Sequence, residues 1–471
     1  MVRGTLARPA MAMMPPDLPS KRWLLLPAIL VATAVGAGIA LAPLTALLAL
    51  PVLVIVACVW KWPALAAYLV IGLTPLTAGI SRGAIPLVRP NEALALLVGV
   101  ALATRGIAQL RTGHVPKLRL DRVDASMVLL AITSSVVPLV WMTVRQQPIT
   151  TDDLLYALVL WKYLGLYALI RMSVHTDKEI RRCLWVSVSA ACIVAVLAIL
   201  QSLGVPGLSR ILATEYAPAG TTGGLLARGS STLGLPAATA DLMLYNLAIV
   251  SGLWMRCGGR RILLAPIAAL LVLAALAAGE FSSAIGLGVA IVCIALVTNS
   301  VRLLRIFLPT GLIASQVLQP VFAERFSGFQ SLSGLPVSWT GRLYNLENYF
   351  WPQLFSGWNF MLGVRAAARI PVASKVTGYV WIESGYTWLL WGGGIPLFLS
   401  FVFFVLATAQ RGWKAAHNNA AAASVAGIAT FVAIIVTTVL MVFDPHLTYR
   451  GAADLLFVLI ALSAPRLRHP S

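Results

Sequence analysis

The sequence predicts an all-α, polytopic membrane protein, and three observations carry that expectation. Of its 471 residues, 59% are apolar and only 11% charged, with a mean hydropathy of +0.88. A soluble chain of this length could not hide so much apolar surface. About 20 apolar residues cross a bilayer, and roughly fourteen stretches qualify. The formal charge of +19 falls in short basic clusters between these stretches. That pattern orients membrane helices and argues against nucleic acid as a partner.

The expected spans lie near 23–41, 43–60, 63–79, 91–107, 125–144, 153–172, 181–203, 235–255, 262–279, 281–298, 303–320, 385–408, 421–443 and 450–464. Several are close to the shortest length that can span, so the expected count is about 12–14. Arg105, Arg111, Lys117, Arg119 and Arg122 crowd one connection, and Arg171, Lys178, Arg181 and Arg182 another. Every even-numbered span returns to such a basic loop, which places both termini in the cytoplasm. Ala40-Leu41-Ala42 resembles a cleavage site, but Pro43 follows it, so the first span reads as an uncleaved helix. Residues 1–471 form a single membrane domain with two notable outward loops, a glycine-rich one at 204–234 and a long one at 321–384. No internal repeat is evident. The cysteines (Cys58, Cys183, Cys192, Cys257 and Cys293) are scattered, without the spacing of a disulfide framework or zinc site.

Ionisable residues inside a bilayer are costly and mark function by default. Here Lys162 is mid-span, while Asp241, Glu280 and Asp454 sit close to the outer ends. A transporter more often places carboxylates at the midplane, whereas an enzyme acting on lipid head groups needs them at one face. Three segments then hold the candidate chemistry. In ARGSSTLGLP, Arg228 with Ser230, Ser231 and Thr232 could complete an anion cradle, or cap a helix in an ordinary loop. WTGRLYNLENYFWPQLFSG reads as an interfacial amphipathic helix capped by Thr340, bent near Pro352 and ended by Gly357. Arg342 would stand in its first turn, beside amides that favour anions, or touch bulk lipid head groups. In WIESGYTWLLWGGGIPLF, Glu383 could accept the proton of a sugar hydroxyl, or serve as a helix N-cap. Asp152-Asp153 is a helix N-cap pair or a metal site, and His446 a turn residue or a base. Trp339, Trp351, Trp358 and Trp381 fit an interfacial belt.

At these segments the chain resembles the O-antigen ligase and O-antigen polymerase superfamily of bacterial envelope glycosyltransferases. The carriers of the resemblance are Arg228 before a small-residue run and proline, and Arg342 before an aromatic-rich helix in the long loop. The third is Glu383, reached by counting back eleven positions from Gly394. The ligase branch has histidine where Glu383 stands, an asparagine where Ala237 stands, and a serine-arginine pair where Ser282-Ser283 stands. These departures point away from a lipid A ligase and towards a polymerase-like or otherwise divergent member.

The resemblance implies a GT-C-like fold and a metal-independent, inverting transfer of saccharide, with no cofactor. The donor would be a polyprenyl-(pyro)phosphate-linked oligosaccharide, the acceptor a second glycan, and the place the outer face of the bacterial inner membrane. Arg228 and Arg342 would bind the pyrophosphate, with Arg210 and Arg325 assisting, and Glu383 would be the base. Rival expectations are a ligase to lipid A or protein, and a lipid-linked oligosaccharide flippase or exporter. A metal-dependent glycosyltransferase using Asp152 and Asp153 is the third.

Overall fold

The computed structural model describes residues 43–80, 88–111, 120–216, 228–256, 261–300, 316, 337–372 and 378–465. The expected spans 23–41 and, but for Gln316, 303–320 lie outside them, as do the Ala40–Ala42 motif, Arg325 and residues 217–227 of the glycine-rich loop. The chain divides into two compact units, Met1–Ala57 and Cys58–Ser471. The described part of the first belongs to helix α1 (Pro43–Lys61).

Within the second unit the other expected spans each contain a helix: α2 (Ala64–Thr77), α3 (Pro90–Arg111) and α4 (Arg122–Val144); α5 (Thr151–Ala157) with α6 (Val159–Ser173), then α7 (Asp177–Ser202). After the short α8 (Leu208–Glu215) come α9 (Pro236–Arg256), α10 (Arg261–Ala277) and α11 (Phe281–Thr298). Eight helices among the described residues are long and apolar enough to cross a membrane, so this is a multi-pass membrane protein. Three of their starts are written in capping boxes: Asp121 with Asp124, Thr150 with Asp153, and Thr176 with Glu179.

The long loop folds into helix α12 (Val337–Asn345), a π-helical turn (Leu346–Phe350), α13 (Trp351–Leu354), α14 (Asn359–Leu362) and a two-stranded hairpin. The hairpin pairs β1 (Arg369–Pro371) with β2 (Tyr379–Trp381) antiparallel, with Ile370 opposite Val380. The sequence carried no strand expectation here, because three-residue strands show no usable alternation. The remaining helices are α15 (Gly385–Ala416), α16 (Ala421–Leu440) and α17 (Ala452–Leu462).

Helix α9 is the central post, almost wholly buried and packed on α7, α10, α11, α16 and α17. Helices α15 and α16 cross through small residues. A Cβ on Gly427 would lie 2.3 Å from the Ala416 amide nitrogen, and one on Gly412 2.8 Å from that of Phe431. Close backbone approach through small residues is how helices associate where lipid removes the hydrophobic drive. At Gly394, φ is +63° and α15 kinks; a side chain there would strike the Met361 carbonyl at 2.4 Å. The kink thus admits α14, seating the long loop on the bundle.

Two Arg–Asp pairs fasten that loop. Arg365 donates to Asp153 from Nε (3.0 Å) and Nη2 (2.6 Å), and Arg369 Nε donates to Asp152 (2.7 Å). Asp153 also accepts from the Ala367 amide, and Trp391 Nε1 donates to the Ala367 carbonyl. Asp152 and Asp153 are therefore the counterions of loop arginines. Lys162 joins three helices by pairing with Glu92 in the first turn of α3 at 3.6 Å and with Asp454 in the first turn of α17 at 3.8 Å.

Asp153 is fully buried, so Asp153→Ala strands the Ala367 amide and frees Arg365 from its partner. The expected loss is about 3 kcal/mol. It is read as a lower melting temperature in detergent with faster proteolysis within 359–384. An unchanged protease pattern would show that this clasp does not hold the loop.

Candidate functional site

Glu383 stands at the mouth of α15 but does not cap it. Ser384 is the N-cap, accepting from the Thr387 amide at 3.3 Å, so the Glu383 carboxylate is left to other partners. Asn345 Nδ2 donates to Glu383 Oε2 at 3.2 Å, and Arg342 Nε lies 3.9 Å from Oε1. Arg342 turns its Nη2 to Asp444 Oδ2 at 2.9 Å. One guanidinium thus faces two carboxylates from two different elements.

The position of Arg342 corrects the expected helix. The helical run begins at Val337, not after a Thr340 cap, so Arg342 lies in the last turn of α12. Free N-terminal amides play no part; acidic side chains draw Arg342 into place. Trp339, one turn earlier, packs between Phe281 (6.4 Å, edge-on) and Phe443 (5.2 Å), docking α12 on the ends of α11 and α16.

Asp444 follows α16, in a segment where Gly385 is indispensable. The Gly385 amide donates to the Met441 carbonyl at 2.7 Å, and a Cβ there would lie 2.9 Å from the Asp444 carbonyl oxygen. This close approach brings Asp444 beside Glu383. Next in the chain is His446, 1% exposed, whose Nδ1 meets Asp241 Oδ2 at 2.6 Å; Asp241 is 0% exposed on α9. His446 Nε2 and Asp241 Oδ1 have no hydrogen-bond partner. The His446 ring packs against Tyr449 at 4.8 Å.

Arg228 enters from the other side, with Nη1 3.3 Å from Glu280 Oε1 at the turn before α11. Its anchoring depends on Gly229, whose amide donates to the Ala277 carbonyl and whose Cβ position is crowded by the Ala198 and Ala277 carbonyls. Ser230, Ser231 and Thr232 do not complete an anion cradle. They are buried and bonded to the protein: Ser231 Oγ to the Val194 carbonyl, Thr232 Oγ1 to that of Pro75, and Ser230 to Gln201. They seat the segment against α7 and α2.

Glu280 links the two arginines electrostatically. Burial would lower the Arg342 guanidinium, but Asp444, Glu280 and Glu383 together hold it above its ordinary value. Burial, opposed by Arg342 and His446 and aided by Glu383 and Glu280, raises the Asp444 carboxyl to about 6.

Arg228, Arg342 and Glu383, from widely separated segments, therefore share one charged cluster at one end of the bundle. Arg210 does not join it among the described residues; it is exposed on α8. Arg365 and Arg369 are spent on the loop clasp. Asp444 was not noted in the sequence, and Asp241 and Glu280 were noted there for their depth near the outer span ends, without a site role. The usable signal was that each carboxylate stands at or near a span end on the face that carries the arginines. Among the described residues no group of three or more His, Cys, Asp or Glu side chains is arranged to hold a metal.

The raised Asp444 carboxyl has a stability consequence of known sign. Its folded value of about 6 lies above an unfolded carboxylate near 3.9, so the folded state favours the neutral form. That contribution is complete below about pH 4 and is lost as pH rises through about 6, with a size of about 3 kcal/mol. Asp444→Asn should therefore gain melting temperature relative to wild type between pH 5 and pH 8. A wild-type-minus-variant difference that is flat over this range would disprove it.

Comparison with protein-family models, with curated proteins and with solved structures gives no match to this chain.

Proposed function

We propose that the protein is a membrane glycosyltransferase. It transfers or polymerises saccharide from a polyprenyl-(pyro)phosphate-linked donor onto a glycan acceptor at the outer face of the bacterial inner membrane. The observation that carries this reading is the meeting of Arg228, Arg342 and Glu383 in one half-buried cluster linked through Glu280 and Asp444. Two guanidiniums suit a pyrophosphate, because their planar forks match phosphate oxygens and stay charged. A carboxylate within reach of the same space suits removal of a hydroxyl proton. The resemblance at these three positions to the O-antigen polymerase and ligase superfamily supports the same assignment.

In this reaction Glu383 takes the proton of the acceptor hydroxyl as its oxygen attacks the anomeric carbon. The bond from that carbon to the phosphate oxygen breaks, and the pyrophosphate leaves with the electron pair. Attack opposite the leaving oxygen inverts the configuration. Arg228 and Arg342 stabilise the charge that grows on the leaving group, a role preorganised donors fill best where water is scarce. The guanidiniums supply this positive charge without calling on a metal. A lipid A or protein acceptor would make the protein a ligase with the same machinery.

A second reading has its own observation. The Lys162–Glu92–Asp454 network is an intramembrane charge cluster of the kind exporters use to couple transport. Such a protein would move the lipid-linked glycan across proteoliposomes without forming a glycosidic bond.

The test is purified protein with a synthetic polyprenyl-pyrophosphate oligosaccharide, with and without EDTA, read by mass spectrometry. Extended glycan is expected in both arms. Arg228→Ala and Arg342→Ala should each cost roughly 10²–10³ in rate, and Glu383→Gln roughly 10²–10⁴, with insertion intact. Full activity in any of these variants removes that residue from the mechanism, and EDTA-sensitive product would bring a metal back.

A further inference from the structure

The site as it stands is over-supplied with negative charge for a protein that binds an anion. Around Arg228 and Arg342 lie the carboxylates of Glu280, Glu383 and Asp444, with Asp241 behind them on His446. Both guanidiniums already hold an internal carboxylate: Arg228 holds Glu280, and Arg342 holds Asp444 in the shortest contact of its pair of partners. A pyrophosphate arriving here meets like charge and finds its best donor occupied.

We propose that Asp444 occupies a phosphate subsite on Arg342, and that the ligand's phosphate displaces it while Asp444 takes up one proton from water. This rests on the phosphate-binding reading of Arg342 given above. The geometry restricts the alternatives. Arg342 Nη2 points to Asp444 at 2.9 Å while its Nε is 3.9 Å from Glu383, so the exchangeable contact is with Asp444. Asp444 is nearly sealed from solvent, its side chain 9% exposed. Once it loses its guanidinium, a buried carboxylate cannot remain charged without a counterion, and it neutralises instead.

The groups facing Asp444 favour this exchange. Arg342 comes from α12, Glu383 from the entrance of α15, and Glu280 from the turn between α10 and α11. His446 and Tyr449 lie on its own loop, and the partner of His446, Asp241, on α9. Glu383 and Glu280 oppose ionisation of Asp444, and Arg342 and His446 assist it. When the ligand claims Arg342, the nearest remaining partner on that loop, His446, is already engaged by Asp241 at 2.6 Å. The Asp241–His446 pair also pins the loop that carries Asp444, and Pro445 stiffens the turn between them. The displaced carboxyl can therefore withdraw only a short way. It stays in the dry pocket that protonates it.

The probe is a farnesyl-pyrophosphate-linked monosaccharide. This diester lacks the second ionisation of a phosphomonoester near pH 6, so its own charge is constant. Titration calorimetry of the full chain in detergent, in two buffers of different ionisation enthalpy, measures the protons taken up on binding. Uptake approaching one proton at about pH 7 to 8 is expected, with affinity rising up to about tenfold for each pH unit lowered towards pH 6. In Asp444→Asn the uptake should vanish and the affinity at pH 8 should rise. Should that variant fail to fold, the wild-type proton count still decides. Binding without proton uptake, or uptake unchanged in Asp444→Asn, overturns this proposal and leaves the glycosyltransferase reading standing. No binding at any pH overturns both.

Discussion

Everything at the charged end of this bundle depends on how Arg342 is neutralised. A guanidinium removed from most of its water has to find carboxylates, and the nearest come from two elements remote in sequence. Asp444 lies beyond the end of α16 and Glu383 at the start of α15. Gly385 lets these two backbones touch, and Trp339 docks the helix that brings the arginine. The chain thus converts the cost of a buried charge into an instruction about where the long loop must lie.

Arginine–aspartate pairs recur in the protein, but they are not alike. Asp153 is wholly buried, sits inside a capping box and receives two nitrogens of Arg365 as well as an amide. Its bonds are saturated, and nothing remains for a ligand. The pairs of Arg228 with Glu280 and of Arg342 with Glu383 are longer, at 3.3 and 3.9 Å, and their side chains are 16–35% exposed. Asp444 gives Arg342 one short contact at 2.9 Å, not a fork of bonds with an added amide; such pairs can exchange partners, whereas a saturated pair holds a loop in place. This difference separates the structural arginines, Arg365 and Arg369, from Arg228 and Arg342.

The helices were legible because apolar stretches of span length leave few other folds, and each expected span within the described residues contains one. Boundaries were less legible. Arg342 looked like a first-turn residue because Thr340 resembles a cap, yet α12 starts at Val337. Glu383 looked like a possible N-cap, but Ser384 next to it holds that position with a shorter side chain better suited to its own helix. Arg228 and Glu383 stood out in the sequence, the arginine before a small-residue run and the glutamate eleven positions before Gly394. Their pairings did not. Glu280 meets Arg228 across 52 residues and Asp241 meets His446 across 205, and no periodicity encodes a contact of that range.

The distribution of polar groups along α9 bears on the choice between enzyme and exporter. Asp241 belongs to the charged end. One turn below it, Tyr245 shares a hydrogen bond with Thr437 at 2.7 Å, and Asn246 accepts from Ser187 at 2.8 Å while donating to the Leu242 carbonyl. These groups are fully buried and satisfied by their neighbours. A hydrophilic glycan passing through the bundle beside α9 would have to break them and find replacements at every step, at a cost of about 1–3 kcal/mol for each buried group left unpaired. Chemistry confined to the charged end meets no such sequence of barriers. The closed packing beneath Asp241 therefore supports a reaction at one membrane face over a path through the middle.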